Sequence, residues 1–454
     1  MKLSLRVFVL RAAVAACLVS VVVFLLWKNR AASRTPIEIG IVVAKTGANA
    51  AFDKVTLDAA LAAIDVVNKR GGARGHPLVG VVADTESTAA GAASAAERLV
   101  RSGVGVMVGG NAPTERRAIE AAIEPLGGLL LGTTSTEGLD DSASLITLGL
   151  LPNQRAVPAA AWAVRQIGPR VFLLSDDSLV GRTVHAILRD HVPAIGGEIV
   201  GDRVVSPNDA DMAAVVREVR SASPDVIVSG LGAAATQRFL GAMRAEGITS
   251  DVAPTISWAL RGRELRLIDT RLTKGDYIVL SSLKADDVVE PELLSAYLAR
   301  SGGSNPDAQA LVAILAIELI TGAIERGADD SAAQIRSAIL RATERQGGET
   351  IAIDAETHAT WKVAKIGRID ADGSLAPVWS SNGLIRPRPW PSWKSHGEWR
   401  QFVNDGGVEK PSPATPSAPV APPSPATPTP TPAPTPTAPK TPTPTPTPSG
   451  GAAS

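Results

Sequence analysis

The runs IEIGIVV (37–43), LVGVVAD (78–84), VGVMVG (104–109) and GLLLG (128–132) decide the fold, because each is a short apolar strand and a helix-length segment separates each from the next. The intervening segments 54–70, 89–102 and 113–126 carry helical patterning. Leu57, Leu61, Ile64 and Val67, for example, recur on one face. Such alternation predicts a parallel sheet covered by helices, with ligands held at the carboxyl ends of the strands. No phosphate-binding signature accompanies it. Lys45-Thr46 lacks the preceding Gly-x-x-x-x-Gly, and Gly103, Gly105, Gly109 and Gly110 do not stand in the Gly-x-Gly-x-x-Gly order that opens a helix on a pyrophosphate. The pattern therefore points to a binding lobe and not to a nucleotide enzyme.

A second alternating run follows Pro152-Asn153-Gln154. Helices are expected over 157–167, 179–195, 209–222 and 233–246, and strands over 170–176, 198–205 and 225–230. Gly71-Gly72 and Gly196-Gly197 end corresponding helices in the two runs. A strand over 277–281 precedes helical stretches over 290–300, 306–326 and 331–345 that return to the first lobe. Residues 361–379 read as a hairpin turning through Ala371-Asp372-Gly373. The expected fold class is α/β, with two Rossmann-like lobes and a hinge. Lobe 1 takes 35–155 plus 282–348, and lobe 2 takes 156–281 plus 349–395. Residues 1–34 are a signal-anchor or transmembrane segment, and 396–454 a disordered Pro/Thr-rich tail.

The chain of 454 residues balances 45 Lys and Arg against 45 Asp and Glu, so no net field favours nucleic acid. Its one cysteine, Cys17, lies in the N-terminal apolar run, which excludes an intramolecular disulfide and a cysteine nucleophile in the body. That run, Ala12–Trp27, is preceded by Lys2, Arg6 and Arg11 and closed by Lys28-Asn29-Arg30. It reads as a membrane anchor, as a cleaved export signal, or, through Val14-Ala15-Ala16-Cys17, as a lipoprotein leader. The tail from Lys410, with its Thr-Pro repeats, suits an extended spacer.

No catalytic constellation is legible. None of His76, His185, His191, His358 and His396 stands four residues from another, as a helical zinc pair requires. Asp176-Asp177 pair two carboxylates at a strand end, yet no nucleophile or metal partner accompanies them. Small polar groups at strand ends are the stronger signal: Asn111, Thr114, Thr133, Thr134, Ser135, Thr136, Asp177 and Ser178. Each serves equally well as a helix cap.

In order and spacing the chain resembles the type I periplasmic binding proteins of ABC transporters, most of all the urea and short-chain amide branch. The resemblance rests on Ile39-Gly40-Ile41 with Thr46-Gly47, Asp58-Ala59-Ala60, Asn68 with Gly71-Gly72, Arg116-Arg117-Ala118-Ile119 and Glu137-Gly138. It continues through Pro152-Asn153-Gln154 with Val157-Pro158, Asp177 with Arg182-Thr183, His358 with Trp361-Lys362, Val378-Trp379-Ser380-Ser381 and Ile385-Arg386-Pro387. It implies a clamshell that holds a small polar solute, of urea, amide or amino acid type, and presents it to an ABC permease outside the cytoplasmic membrane. It implies no enzyme activity and no cofactor. Carried over residue by residue, the ligand-binding positions fall on Asn111, Pro113, Thr133, Thr134, Asp177 and Ser178. The branch's aromatic residues are missing at Asn111, Gly132, Thr136 and Ser178, which widens the pocket and makes it more hydrophilic. Trp258 is either a replacement wall or ordinary packing. A membrane-tethered sensory or protein-interaction module with a degenerate pocket is the alternative.

Overall fold

The computed structural model describes residues 20, 35–206, 212–281, 290–341, 343–346 and 349–407. The first lobe begins with β1 (Ile37–Val43), α1 (Ala50–Lys69), β2 (Leu78–Asp84), α2 (Ala89–Arg101), β3 (Val106–Gly109), α3 (Pro113–Ile123), β4 (Leu129–Gly132) and β5 (Leu145–Thr147). These strands pair in parallel in the order β5-β4-β3-β1-β2. Gly109 ends β3 with φ at 135°, where a Cβ would lie 2.0 Å from the Val42 carbonyl oxygen, so only glycine lets these two strands close up.

The second lobe contains α4 (Ala156–Gln166), β6 (Arg170–Asp176), α5 (Leu179–Ala194), β7 (Glu198–Val205), α6 (Met212–Ala222), β8 (Val226–Gly230), α7 (Ala233–Ala245) and β9 (Thr255–Ser257). Two one-turn helices, α8 (Gly262–Leu265) and α9 (Thr270–Thr273), precede β10 (Tyr277–Leu280). The chain then returns to the first lobe through α10 (Pro291–Ser301), α11 (Ala308–Glu325) and α12 (Ala332–Leu340), followed by β11 (Thr343–Gln346), β12 (Glu349–Asp354) and β13 (Ala359–Thr360). β14 (Lys365–Ile369) and β15 (Leu375–Ser380) complete the second sheet, in the order β15-β14-β10-β9-β8-β6-β7. The chain thus passes between the lobes after β5, after β10 and after β13.

Three expectations are corrected. Residues 349–360 belong to the first sheet and not to the second lobe, since Ala359 pairs with Thr147 and Ile353 with Thr360. The helix expected over 331–345 stops at Leu340, and β11 follows it, paired antiparallel to β12. The tail does not begin at 396: α13 (His396–Asn404) is a helix capped by Ser395 with Glu398 at its third position, and its Trp399 is fully buried. The expected N-terminal anchor, apart from Ser20, and the Pro/Thr segment beyond 407 lie outside the described residues.

α1 buries a face shifted from its predicted stripe, of which only Ile64 is buried. Val55, Ala59, Ala63 and Val66 are buried, whereas Leu57, Leu61 and Val67 of the stripe are half-buried, because α10 and α11 pack against α1 in addition to the sheet. α11 is long and apolar enough to cross a membrane, with a mean hydropathy of 1.7, yet it is the central helix of the first core: Ile314, Ile317 and Ile320 are wholly enclosed between α1 and the sheet. A helix apolar on every face needs such a double covering.

Candidate functional site

The carboxyl ends of the strands in both sheets face a shared cavity of about 540 Å³. The first lobe supplies the segment after β3 (Asn111, Pro113), the segment after β4 (Thr133, Thr134, Ser135) and Phe52 from α1. The second lobe supplies Asp176 and Ser178 after β6, Gly230 after β8, Trp258 after β9, and Arg261 with Glu264. Arg155 enters from the crossing between the lobes.

That crossing is held by the motif Pro152-Asn153-Gln154. Gln154 donates through Nε2 to the carbonyls of Thr360 (2.8 Å) and Ile385 (3.0 Å), and Asn153 donates to Arg386 O at 2.8 Å. The side chains that follow β5 therefore clasp the later chain segments beside the first lobe. On the opposite rim, the Arg261 guanidinium of lobe 2 sits 4.1 Å from the centre of the Phe52 ring of lobe 1. Arg261 is also paired with Glu264, which takes the Arg261 backbone N–H at 3.0 Å.

Six of the seven expected positions line the cavity, but their polar atoms are not equally available. Asn111 is buried and fully engaged: Nδ2 donates to Asp53 Oδ1 (2.8 Å) and Thr56 Oγ1 (3.0 Å), and Oδ1 accepts from Thr133 Oγ1 (2.7 Å). Asp53 accepts in addition from the Ala44 N–H at 2.6 Å. Burial pushes the Asp53 carboxyl up to about 6, against the lowering effect of these hydrogen bonds. Asn111 and Thr133 thus build the wall and offer their side chains to each other. Thr134 donates its hydroxyl to Asn111 O at 3.0 Å and keeps its acceptor lone pairs. Pro113 occupies the first turn of α3.

In the second lobe one assignment shifts by a residue. Asp177 is exposed, pairs with Arg182 and does not line the cavity. Asp176, the last residue of β6, does. Its Oδ1 receives Ser178 Oγ, while Oδ2 makes no hydrogen bond among the described residues. Ser178 itself caps α5 by accepting from the Gly181 N–H at 2.9 Å. Trp258 is a wall of the cavity and also core: it is 2% exposed, and its ring fills the space over Gly230, where a Cβ would come within 2.1 Å of it.

Arg155 carries no signal in the sequence beyond its place after the Pro-Asn-Gln motif. It is 7% exposed, its guanidinium carbon lies 5.2 Å from the centre of the Trp258 ring, and Nη1 donates to Trp258 O at 3.3 Å. Burial, with help from Arg261, pushes the guanidinium down to about 10. Among the described residues, no group of three or more His, Cys, Asp or Glu side chains is placed to hold a metal ion.

Two α/β sheets joined by repeated crossings, with one cavity at the carboxyl ends of both, define the two-lobe cleft proteins. More narrowly, the chain belongs to the periplasmic binding protein domain family, whose model matches residues 37–396. It is 26% identical over 321 residues to the Leu/Ile/Val-binding protein homolog 3 of Brucella melitensis, covering 66% of this chain and 83% of that one. It is 27% identical over 202 residues to the Leu/Ile/Val-binding protein BraC3 of Rhizobium johnstonii, where the match spans 43% of this chain and about half (54%) of the relative. The fold superposes on a Rhodopseudomonas palustris ABC-transporter solute-binding protein in complex with 3,4-dihydroxybenzoic acid, at TM-score 0.67 and 18% identity, covering 78% of this chain and 99% of that one. It also superposes on the branched-chain amino acid transporter substrate-binding protein LivJ of Streptococcus pneumoniae in complex with isoleucine, at TM-score 0.66 and 20% identity, covering 78% and 100%.

Proposed function

We propose that this protein is an extracytoplasmic solute receptor that encloses a small solute of amino acid type between its lobes and hands it to an ABC permease. The observation that carries this reading is the cavity itself, which both lobes build from the carboxyl ends of their strands and which combines apolar walls with a few polar groups. The volume of about 540 Å³ is the share of roughly 18 water molecules at ~30 Å³ each, so urea or acetamide would leave most of it to water. An amino acid fits the lining better. Phe52, Leu150, Trp258 and Val312 accept its side chain, and Asp176 Oδ2 accepts its ammonium group. The relatives named for leucine, isoleucine and valine, and the isoleucine held by LivJ, favour the same class. Family membership supports the location outside the cytoplasm.

The test is thermal unfolding of the purified chain against a panel of amino acids, urea, short amides and aromatic acids. A solute at about 100 times its Kd adds roughly 2.7 kcal/mol and raises Tm by several degrees. A shift confined to amino acids supports the proposal, and a shift with urea alone refutes the assigned class. No shift across the panel favours the alternative of a protein-interaction module with a degenerate pocket.

A further inference from the structure

The two arginines buried among the described residues are treated differently by the fold. Arg116, in the first lobe, is 2% exposed and meets Glu120 at 3.0 Å, Glu137 at 3.0 Å and Asp140 at 3.7 Å. Arg155, in the cavity wall, forms no ion pair among the described residues. Its Nη1 meets only a carbonyl oxygen, and its Nε is sealed from water without a hydrogen-bond partner. The nearest acids, Glu137 and Glu264, favour its charge from a distance but make no ion pair with it. Glu137 meets Arg116 and Arg117 through Oε1, and Glu264 meets Arg261, while Arg261 itself repels the Arg155 charge. A buried charge is normally paired, and a fold that leaves one unpaired in a ligand cavity leaves room for a counter-ion that arrives with the ligand. A planar guanidinium recognises a carboxylate better than any neutral amide, because a carboxylate accepts two parallel N–H bonds and neutralises the charge.

We propose that Arg155 is the residue that selects the solute's carboxylate, so that the cavity takes a small organic acid as its anion, with or without an ammonium group, and rejects the corresponding amide. This inference rests on the cavity being a solute site, as proposed above. Trp258 positions the guanidinium from below, through its ring and its carbonyl. Arg155 is itself only 7% exposed, so little water competes for its guanidinium, which raises the discrimination. A site built to pair with one charged group leaves that group's partner stranded when the analogue lacks it, and such sites discriminate strongly.

Calorimetric titration of the purified full chain with paired probes tests this: leucine against leucinamide, 4-hydroxybenzoate against 4-hydroxybenzamide, and urea alone. The expected result is that at least one acid binds and that its amide binds at least ~30-fold more weakly, roughly 2 kcal/mol. In Arg155→Gln the acid should fall to the level of the amide. In Arg155→Lys, which keeps the charge and loses the fork, part of the preference should persist. The unliganded Tm of Arg155→Gln should not drop below that of the native chain, because the change removes an unpaired buried charge. Binding of an amide or urea as tight as that of any acid overturns the inference and leaves the receptor reading standing. Unchanged binding of the acid by Arg155→Gln does likewise. Absence of binding by every probe overturns both.

Discussion

Replacing Asn111 by alanine should damage the first lobe by an amount that depends on pH. The Asn111 amide holds Asp53 and Thr133 together inside the wall, and Asp53 is 1% exposed. Truncation leaves the Asp53 carboxylate with one donor, the Ala44 N–H, and the Thr133 hydroxyl without its acceptor. At roughly 1–3 kcal/mol for each of these two buried groups, the loss near pH 8 is about 2–6 kcal/mol. The pH dependence has a definite sign. Asp53 has its carboxyl raised from the ordinary 3.8 to about 6, so the native state holds this proton more tightly than the unfolded chain does. Its favourable contribution is complete below pH 3.8 and is lost as pH rises to about 6, a fall of about 3 kcal/mol, and is level above that. Without the Asn111 donor the carboxyl rises further, so the fall continues to higher pH and the penalty of Asn111→Ala is larger near pH 8 than near pH 5. Urea unfolding followed by far-UV circular dichroism at the two pH values measures both quantities. The exchange Asp53→Asn with Asn111→Asp keeps a donor facing an acceptor and should recover more than half of the loss. A penalty under about 0.5 kcal/mol near pH 8, or one equal at both pH values, would refute this account of the wall.

Asp176 and Asp177 separate by function although they are adjacent. Asp176→Asn should weaken binding of an amino acid at least tenfold, about 1.4 kcal/mol, whereas Asp177→Asn should leave affinity within twofold, as read by calorimetry. Trp399 donates its Nε1 proton to Pro391 O at 3.0 Å and packs with Leu139 of the first lobe and Ile187 of the second. Trp399→Ala should cost about 3–5 kcal/mol of local packing and expose α13 to limited proteolysis while the two sheets stay resistant.

The parallel strands are readable because apolar, β-branched runs between turn residues admit little else. Ile37–Val43, Leu78–Asp84, Arg170–Asp176 and Glu198–Val205 have the expected bounds. Two of the strands that patterning misses are short or polar. Leu145–Thr147 has three residues, and Thr343–Gln346 reads TERQ, with no apolar alternation to interrupt the helical pattern before it. The site shows the same division. Small polar residues at strand ends mark the cavity, since strand ends in such sheets are where ligands sit. Which of two adjacent aspartates faces inward depends on where β6 stops, a one-residue question that patterning does not resolve. Arg155 is invisible for another reason: its burial is created by Trp258, 103 residues further along the chain, and an arginine at the start of a helix otherwise looks solvated.

The pairing of Ala359 with Thr147 also bears on how the protein is made. The lobe whose strands are synthesised first does not complete its sheet until about 200 further residues have emerged, when the parallel strands of the other lobe are already available to fold. Until then β5 presents an open edge of backbone donors and acceptors. A nascent chain interrupted after β10 would therefore hold a second lobe lacking only its hairpin and a first lobe with an unprotected edge, the form most prone to pair with another copy of itself.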